Sequence, residues 1–447
     1  MRFFYAFNLA TSLYNVYLCS LKNKRNNIDN MRTKTLTIFL ISILGSFASS
    51  NANTSAKRTQ SDSILIAYLN ECGIQISTGN EVEIIKSGYD KFIDLFEEIK
   101  KAKHHIHLEY FNFRNDSIAN CLFDILEIKA KEGVEIRAMY DAFGNSSNNQ
   151  PLKKRHIKEI KEKGIEIVEF DPFKFPWINH AFHRDHRKIV VIDGKIGYTG
   201  GMNIADYYIT GLPKIGEWRD MHIRIKGKAT ESLQEIFLDM WNKTTKQNIG
   251  GNAYYPFSQD SIYSGEKKIA IVDRNPKRAP EVMRRTYAKA IESAEEKVQI
   301  INPYFTPTRI IKKAIKKAAK KGVKVEIMIP SKSDIPFTPD AAMYIANRLR
   351  KKGADIYIFN GGFHHSKVMM IDSTYCTIGS TNLNSRSLRY DYEVNAFIFD
   401  EETTSELMNI FKEDQTNSTL LTNEIYKRRS PWKKFVGWFA HLFTPFL

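Results

Sequence analysis

"HRKIVVID" (residues 186–193) and "HSKVMMID" (residues 365–372) each set a histidine, a lysine and an aspartate at the same spacing inside an otherwise apolar run. Side chains of a strand alternate between its faces, so each histidine and the lysine two residues on project to one side while the next residues form buried strand. The match continues downstream. His186, Lys188, Asp193, Gly200, Gly201 and Asn203 stand at the same relative positions as His365, Lys367, Asp372, Gly379, Ser380 and Asn382, and five of the six residue types are identical. A lone histidine in a strand is usually a packing residue; a His, Lys and Asn set repeated whole points to shared chemistry.

The flanks repeat too. Ahead of the first motif, "HHIHLEYF" (104–111) reads as a strand, "SIANCLFDILEIKAKEG" (117–133) as a helix ending at Gly133, and "VEIRAMYD" (134–141) as a strand, followed by a helix ending at Gly164 and the strand "IEIVEF" (165–170). Ahead of the second come "KVQIINPYF" (297–305), a helix ending at Gly322, "VKVEIMIP" (323–330), a helix ending at Gly353 and "ADIYIF" (354–359). Gly133 and Gly164 are 31 residues apart, as are Gly322 and Gly353. A helix C-terminal cap needs positive φ, which glycine adopts at least cost. Strands alternating with helices predict an α/β fold, and a repeat this long predicts a duplicated domain. The Gly-, Asn- and Ser-rich stretch "QNIGGNAYYPFSQDSIYSGEKK" (247–268) separates the copies and predicts domains at 60–250 and 260–425.

The 447 residues, 43% of them hydrophobic, are ample for buried cores, and the net charge of +16 implies an anionic partner, either nucleic acid or an acidic lipid surface. Runs such as "IIKKAIKKAAKKG" (310–322) read as the solvated face of an amphipathic helix. Cys19, Cys72, Cys121 and Cys376 are scattered without a CxxC pair, which suggests neither a zinc site nor a disulfide framework. "MRTKTLTIFLISILGSFASSNA", starting at Met31, has the basic start, apolar stretch and small residues of a signal peptide or membrane anchor over 31–52, which makes residues 1–30 an extension from a mis-assigned start; the rival reading takes "FFYAFNLATSLYNVYLCSL" (3–21) and the 35–48 stretch as two short membrane spans. Lys22, Lys24, Arg25, Arg32 and Lys34 favour the cytoplasmic side and send the remainder outward. At the other end, "SPWKKFVGWFAHLFTPFL" places Trp432, Phe435, Val436, Phe439 and Phe443 at helical spacing beside Lys433 and Lys434, an amphipathic tail over 430–447 suited either to a membrane surface or to its own domain.

The repeated set suits attack on a phosphodiester. One neutral imidazole can be the nucleophile and the other, protonated, can donate to the leaving oxygen. Two lysines and two asparagines can hold the non-bridging oxygens as charge builds, a task otherwise given to metal ions, so no cofactor is required. "HAFHRDH" offers His180, His183 and His186 at tempting intervals for a metal, but the second copy has only the adjacent His364 and His365, and a symmetric metal site does not follow.

Both motifs match the HxKxxxxD signature, followed by G-(S/G)-x-N, of the phospholipase D superfamily. "GGMNIADYY" with "WRD", "GSTNLNSRSLRYDYEVN" and "EGVEIRAMYD" resemble bacterial cardiolipin synthases, and the similarity spans roughly residues 60–447. The resemblance implies two phospholipase D-type α/β/α sandwich domains with mixed β-sheets, related by a pseudo-two-fold axis. It implies that His186 is the nucleophile and His365 the general acid, then base; that Lys188, Lys367, Asn203, Asn382 and Ser380 serve the phosphate; and that Asp220 in "WRD" and Glu393 in "DYEVN", the acidic residue after each motif, orient its histidine. Asp193 and Asp372 complete the catalytic signature, and the resemblance makes them holders of their strands through salt bridges. The implied reaction is phosphatidyl transfer between two phosphatidylglycerol molecules, giving cardiolipin and glycerol, on the membrane. Hydrolysis of phospholipids, or a secreted phosphodiesterase acting on DNA, would use the same residues. Nuclease relatives are often single-motif chains that dimerise, which disfavours nucleic acid. The near symmetry of the motifs leaves the attacking histidine open, and the sequence leaves the oligomeric state open.

Overall fold

A computed structural model describes residues 60–173, 182–258 and 265–444. The expected extension (1–30), the signal peptide or anchor (31–52), His180 and part of the expected linker lie outside the described residues.

The first copy supplies β1 (Ile76–Ile85), β2 (His105–Tyr110), β3 (Glu135–Asp141), β4 (Glu166–Phe170), β5 (Lys188–Ile192), β6 (Ile196–Gly200), the two-residue β7 (Trp218–Arg219) and β8 (His222–Gly227). The second supplies β9 (Lys267–Arg274), β10 (Lys297–Ile301), β11 (Lys324–Pro330), β12 (Asp355–Phe359), the two-residue β13 (Phe363–His364), β14 (Val368–Ile371), β15 (Tyr375–Gly379), β16 (Glu393–Phe399) and β17 (Ser418–Leu420). Gly133, Gly164, Gly322 and Gly353 have φ of 89°, 83°, 89° and 99°, so each predicted helix end is a left-handed glycine cap.

All strands but β7 and β13 form one mixed sheet in the order β17-β12-β11-β10-β14-β15-β16-β9-β1-β8-β6-β5-β2-β3-β4. The order is nearly palindromic about the antiparallel β1–β9 pair, as a pseudo-two-fold axis requires. The copies share one continuous sheet within a single compact unit, Thr59–Leu447. Helix Ser61–Glu71, counted with the first copy by its position in the chain, buries Leu65 and Leu69 beside Met283, Tyr287 and Ile291 of the second.

Strand alternation divides the apolar residues between two helix layers. Val190 and Ile192 of β5 face Leu95, Ile99, Leu122 and Leu126 of helices Gly88–Lys101 and Ser117–Lys131, whereas Ile189 and Val191 join Leu233 of helix Ala229–Thr245 on the other face. Each such side chain contributes about 1.5–3 kcal/mol on burial. Sheet and flanking helices thus clamp β5 and β14, the strands that carry the two lysine-bearing motifs.

Asp193 and Asp372 end these strands at φ of 53° and 49°. Asp193 accepts hydrogen bonds from the backbone N–H groups of Lys103, His104 and His105 at 2.8–3.0 Å, and Asp372 from those of Glu295, Glu296 and Lys297 at 2.7–2.8 Å. The expected salt bridges are therefore corrected: each carboxylate gathers the amides that open the neighbouring strand, β2 or β10, and pins it to the end of the motif strand. Asp372→Ala is expected to lower unfolding free energy by about 1–3 kcal/mol, as amides lose a charged acceptor, with Asp372→Asn, which tolerates positive φ, losing less. Urea unfolding measures the loss, and turnover per folded molecule should be unchanged in both variants.

Candidate active site

Each motif histidine is held by the opposite copy of the repeat. The segment entering the first motif pairs with the segment entering β16: Asp185 bridges Tyr392, the His186 N–H donates to the Tyr392 carbonyl at 3.1 Å, and the Tyr392 N–H donates to the Arg184 carbonyl at 2.9 Å. The segment entering the second motif does the same with β7. Phe363 and His364 pair with Trp218 and Arg219, and the His365 N–H donates to the Arg219 carbonyl at 2.7 Å. These two short ladders carry Glu393 to His186 and Asp220 to His365. His186 Nδ1 lies 3.0 Å from Glu393 Oε1, and His365 Nδ1 lies 2.7 Å from Asp220 Oδ2. The expectation that the acidic residue after a motif orients that motif's own histidine is corrected, since the pairs cross. Asp220 and Glu393 each lie two residues before the partner of Gly200 or Gly379 in the ladder, so the crossing obeys the pseudo-symmetry.

With Nδ1–H donated to a carboxylate, each ring presents the lone pair of Nε2, the tautomer a nucleophile or base requires. Both carboxylates are fully buried, while the His186 and His365 side chains keep 15% and 8% of their surface. Burial, then the ammonium groups of Lys188 and Lys367, push His186 well below the ordinary histidine range; burial, then Lys367, does the same to His365. Burial draws Lys188 down to about 7 against the opposing pull of Glu393, and Lys367 down to about 8 against that of Asp220. It raises Glu393 to about 7 and Asp220 to about 6, again opposed by the lysines. The lysine of each copy acts on the histidine of the other, so the four groups form one electrostatic centre. Lys188 Nζ donates to the His186 carbonyl, and Lys367 Nζ donates to the His365 carbonyl and lies 3.1 Å from His365 Nε2.

Asn203 and Asn382 are buried, and the side-chain carbonyl of each is without a hydrogen-bond partner. Asn203 Nδ2 donates to the Tyr208 hydroxyl at 3.3 Å. Ser380, expected at the phosphate, instead donates to Glu393 Oε2 and accepts from the Val394 N–H at 3.0 Å. It braces the carboxylate that holds His186. Its counterpart Gly201 stands where a Cβ would overlap the Asp220 carboxylate, which explains the one residue type that differs between the motifs. Asp193 and Asp372 take no part in this cluster.

Lys91 has no counterpart in the signature. It is fully buried in helix Gly88–Lys101, and its Nζ donates to the carbonyls of Met202 and Asn203 at 3.1 and 3.0 Å, tying down the loop that carries Asn203. On sequence it reads as one more surface lysine. Of the histidines that suggested a metal, His183 bonds through Nδ1 to the Tyr390 carbonyl at 2.8 Å and His186 to Glu393. His364 pairs with Asp414 at 3.0 Å. Among the described residues no three metal-ligating side chains converge.

A duplicated α/β unit that brings two His/Lys pairs to one centre is the arrangement of the phospholipase D superfamily, and the relatives below make it a phosphatidyltransferase of that superfamily. The family profile described as "Cardiolipin synthase, PLD-like domain" matches residues 95–241 and 287–415. The chain is 37% identical over 368 residues to a cardiolipin synthase of Oceanobacillus iheyensis, covering 82% of this chain and 75% of that one. It is 36% identical to a cardiolipin synthase of Listeria monocytogenes (86% and 79% covered) and 38% identical to cardiolipin synthase 2 of Staphylococcus epidermidis (83% and 75%). The chain belongs to the cardiolipin synthase family. Its fold is similar to the crystal structures of phosphatidylserine synthase from Haemophilus influenzae Rd KW20 (TM-score 0.65, 15% identity, 86% of this chain and 99% of that one) and polyphosphate kinase from Porphyromonas gingivalis (TM-score 0.51, 11%, 77% and 49%).

The crossed pairs have a kinetic signature. With an activated diester whose leaving group needs no proton, such as a p-nitrophenyl ester, Asp220→Asn is expected to keep most of the burst of nitrophenol and Glu393→Gln to lose about 10²-fold or more. This holds with His186 attacking; pairing within each copy would then give the reverse. The lysines also fix a pH dependence. An anionic headgroup binds their charged forms, which are lost from about pH 7 (Lys188) and about pH 8 (Lys367), while Asp220 and Glu393 gain negative charge from about pH 6 and 7. All four changes oppose anion binding as pH rises, so KM for short-chain phosphatidylglycerol is expected to climb between pH 7 and 9, approaching about tenfold per unit for each lysine titrated.

Proposed function

We propose that the protein synthesises cardiolipin by transferring a phosphatidyl group from one phosphatidylglycerol to another, with His186 as nucleophile. His186 Nε2 attacks phosphorus, the bond from phosphorus to the headgroup oxygen breaks, and a proton on His365 Nε2 goes to that oxygen, releasing glycerol. In the second step a headgroup hydroxyl of another phosphatidylglycerol gives its proton to His365 Nε2 and attacks phosphorus. The phosphorus–nitrogen bond breaks and His186 is neutral again. Lys188, Lys367 and the asparagines stabilise the five-coordinate transition state, where negative charge on the non-bridging oxygens is greatest. Burial and then the lysine field hold His365 unprotonated; the bound phosphate anion offsets part of that field, which favours the charged acid when there is a leaving group to receive the proton.

One observation carries this reading: two imidazoles, each fixed at Nδ1 by a carboxylate of the opposite copy, leave both Nε2 atoms to one lysine-lined centre. The assignment of attack to His186 rests on the motif resemblance and on its greater exposure. The family membership supports phosphatidylglycerol as the lipid, and the basic residues ahead of the apolar stretch at 36–47 support an extracytoplasmic catalytic portion. Among the described residues no helix is long and apolar enough to cross a membrane.

Purified protein mixed with phosphatidylglycerol vesicles is expected to yield cardiolipin and glycerol in equal amounts; phosphatidic acid in place of cardiolipin would make it a hydrolase. His186→Asn should abolish the covalent phosphatidyl adduct and lower turnover by about 10⁴-fold or more, measured by acid-quenched labelling with radioactive lipid. An adduct that survives His186→Asn and is lost in His365→Asn would reverse the two roles.

A further inference from the structure

Helix Pro431–Leu442 packs the wrong way round for a protein surrounded by water. Gly437 is its buried residue, set so close to the helix Thr338–Arg350 that a Cβ would overlap the Asp340 carbonyl, and Ala440 and His441 lie beside it, half-buried. Trp432 (69% exposed), Phe435, Trp438, Phe439, Leu442 and Phe443 point outward. Their rings form a ladder, with centroids 5.7 Å apart for Trp432–Phe435, 6.0 Å for Phe435–Phe439 and 5.1 Å for Phe439–Phe443. The expected apolar face is real, but it faces away from the protein, and only Val436 of the predicted set is partly covered. A contiguous apolar surface on this scale marks an interaction site.

Two further observations say what covers it. The face is flanked by positive charge: Lys427, Arg428 and Lys433 are exposed, and Lys312 and Arg348 lie near His441, whose pKa is lowered by burial and then by these two cations. Aromatic and aliphatic side chains fringed by cations match the interfacial zone of an anionic bilayer, where rings sit at headgroup depth and lysines meet lipid phosphates. The face also connects with the reaction centre. Asp340, beneath Gly437 and paired with Arg429, is three residues from Phe337, itself 66% exposed, and Ile335 beside it is also exposed. The same loop holds Asp334, which accepts a hydrogen bond at 2.6 Å from Tyr304, whose ring lies 5.9 Å from that of His365.

We propose that helix 431–442, together with Ile335 and Phe337, docks on the surface of an anionic phospholipid bilayer and turns the His365 side of the active-site mouth toward the lipid. The proposal rests on the phosphatidylglycerol reading, because a bilayer substrate must be drawn out headgroup first. Docking on this side presents the next lipid's hydroxyl to the histidine that activates it.

The test uses the full chain with vesicles of phosphatidylcholine containing phosphatidylglycerol and lipids brominated in the acyl chain. Trp432 and Trp438 are expected to be quenched by bromine, so the quenched fraction should fall in Trp432→Phe/Trp438→Phe. Phe435→Ser/Phe439→Ser is expected to raise the apparent KM for phosphatidylglycerol in vesicles at least tenfold, with the unfolding midpoint and turnover of dispersed short-chain phosphatidylglycerol unchanged. Phe337→Ser should move the same way by a smaller factor. Unchanged quenching and vesicle kinetics would overturn the proposal, as would dissociation of a dimer by Phe435→Ser/Phe439→Ser, which would make a second copy the occupant. Failure of the function reading looks different: no cardiolipin forms from either lipid, while the tryptophans are still quenched.

Discussion

The crossed hydrogen bonds between His186 and Glu393 and between His365 and Asp220 are the constraint around which the rest of the chain is arranged. A buried carboxylate is costly unless it is hydrogen-bonded and faces compensating charge. Each of these two meets an imidazole from the opposite copy and stands near both lysines. Neither copy of the repeat therefore contains a complete site. The β1–β9 pair that joins the copies and the small ladders at Asp185–Tyr392 and Phe363–Trp218 maintain the geometry on which both histidines depend.

The electrostatics of the centre fit a site that runs the two opposite proton transfers of the proposed reaction. Burial disfavours every charged form, so imidazoles and lysines are pushed down and the carboxylates up, which brings several groups close to neutral pH. A bound phosphodiester reverses part of that balance by adding the anion for which the lysines are placed. In the proposed reaction, nucleophile and acid–base then differ only in which copy of the motif holds the phosphorus, and the asymmetry is modest: Ser380 braces Glu393 where Gly201 makes room for Asp220, and Lys91 ties the Asn203 loop in the first copy.

The surface shows a second asymmetry. The second copy carries the outward-facing aromatic helix and the Ile335–Phe337 loop, next to the side of the centre where His365 lies. A pseudo-symmetric site beside a one-sided apolar face fits the proposed reaction, whose donor and acceptor are two molecules of the same lipid.

Much of this was legible in the chain itself. The period of the strands, the glycine-ended helices and the spacing from His186 to Asn203 and from His365 to Asn382 are local properties, set by alternation and by the φ preference of glycine, and they recur in the structure with shifts of a residue or two at most element ends, though the strand expected over 297–305 stops at Ile301 and the helix expected to reach Gly353 stops at Arg350. The motifs marked His186, Lys188, His365, Lys367, Asn203 and Asn382 as one set. Tertiary structure alone decided which carboxylate serves which histidine, because those partners are 207 and 145 residues apart and meet only through closure of the common sheet. It also decided that Asp193 and Asp372 hold backbone amides in place of cations, that Ser380 turns to Glu393, and that Lys91 lies beneath the site. The helical spacing of Trp432 to Phe443 predicted an apolar face. Its outward direction depended on Gly437, the one position where the neighbouring helix could approach closely enough to leave the aromatics on the far side.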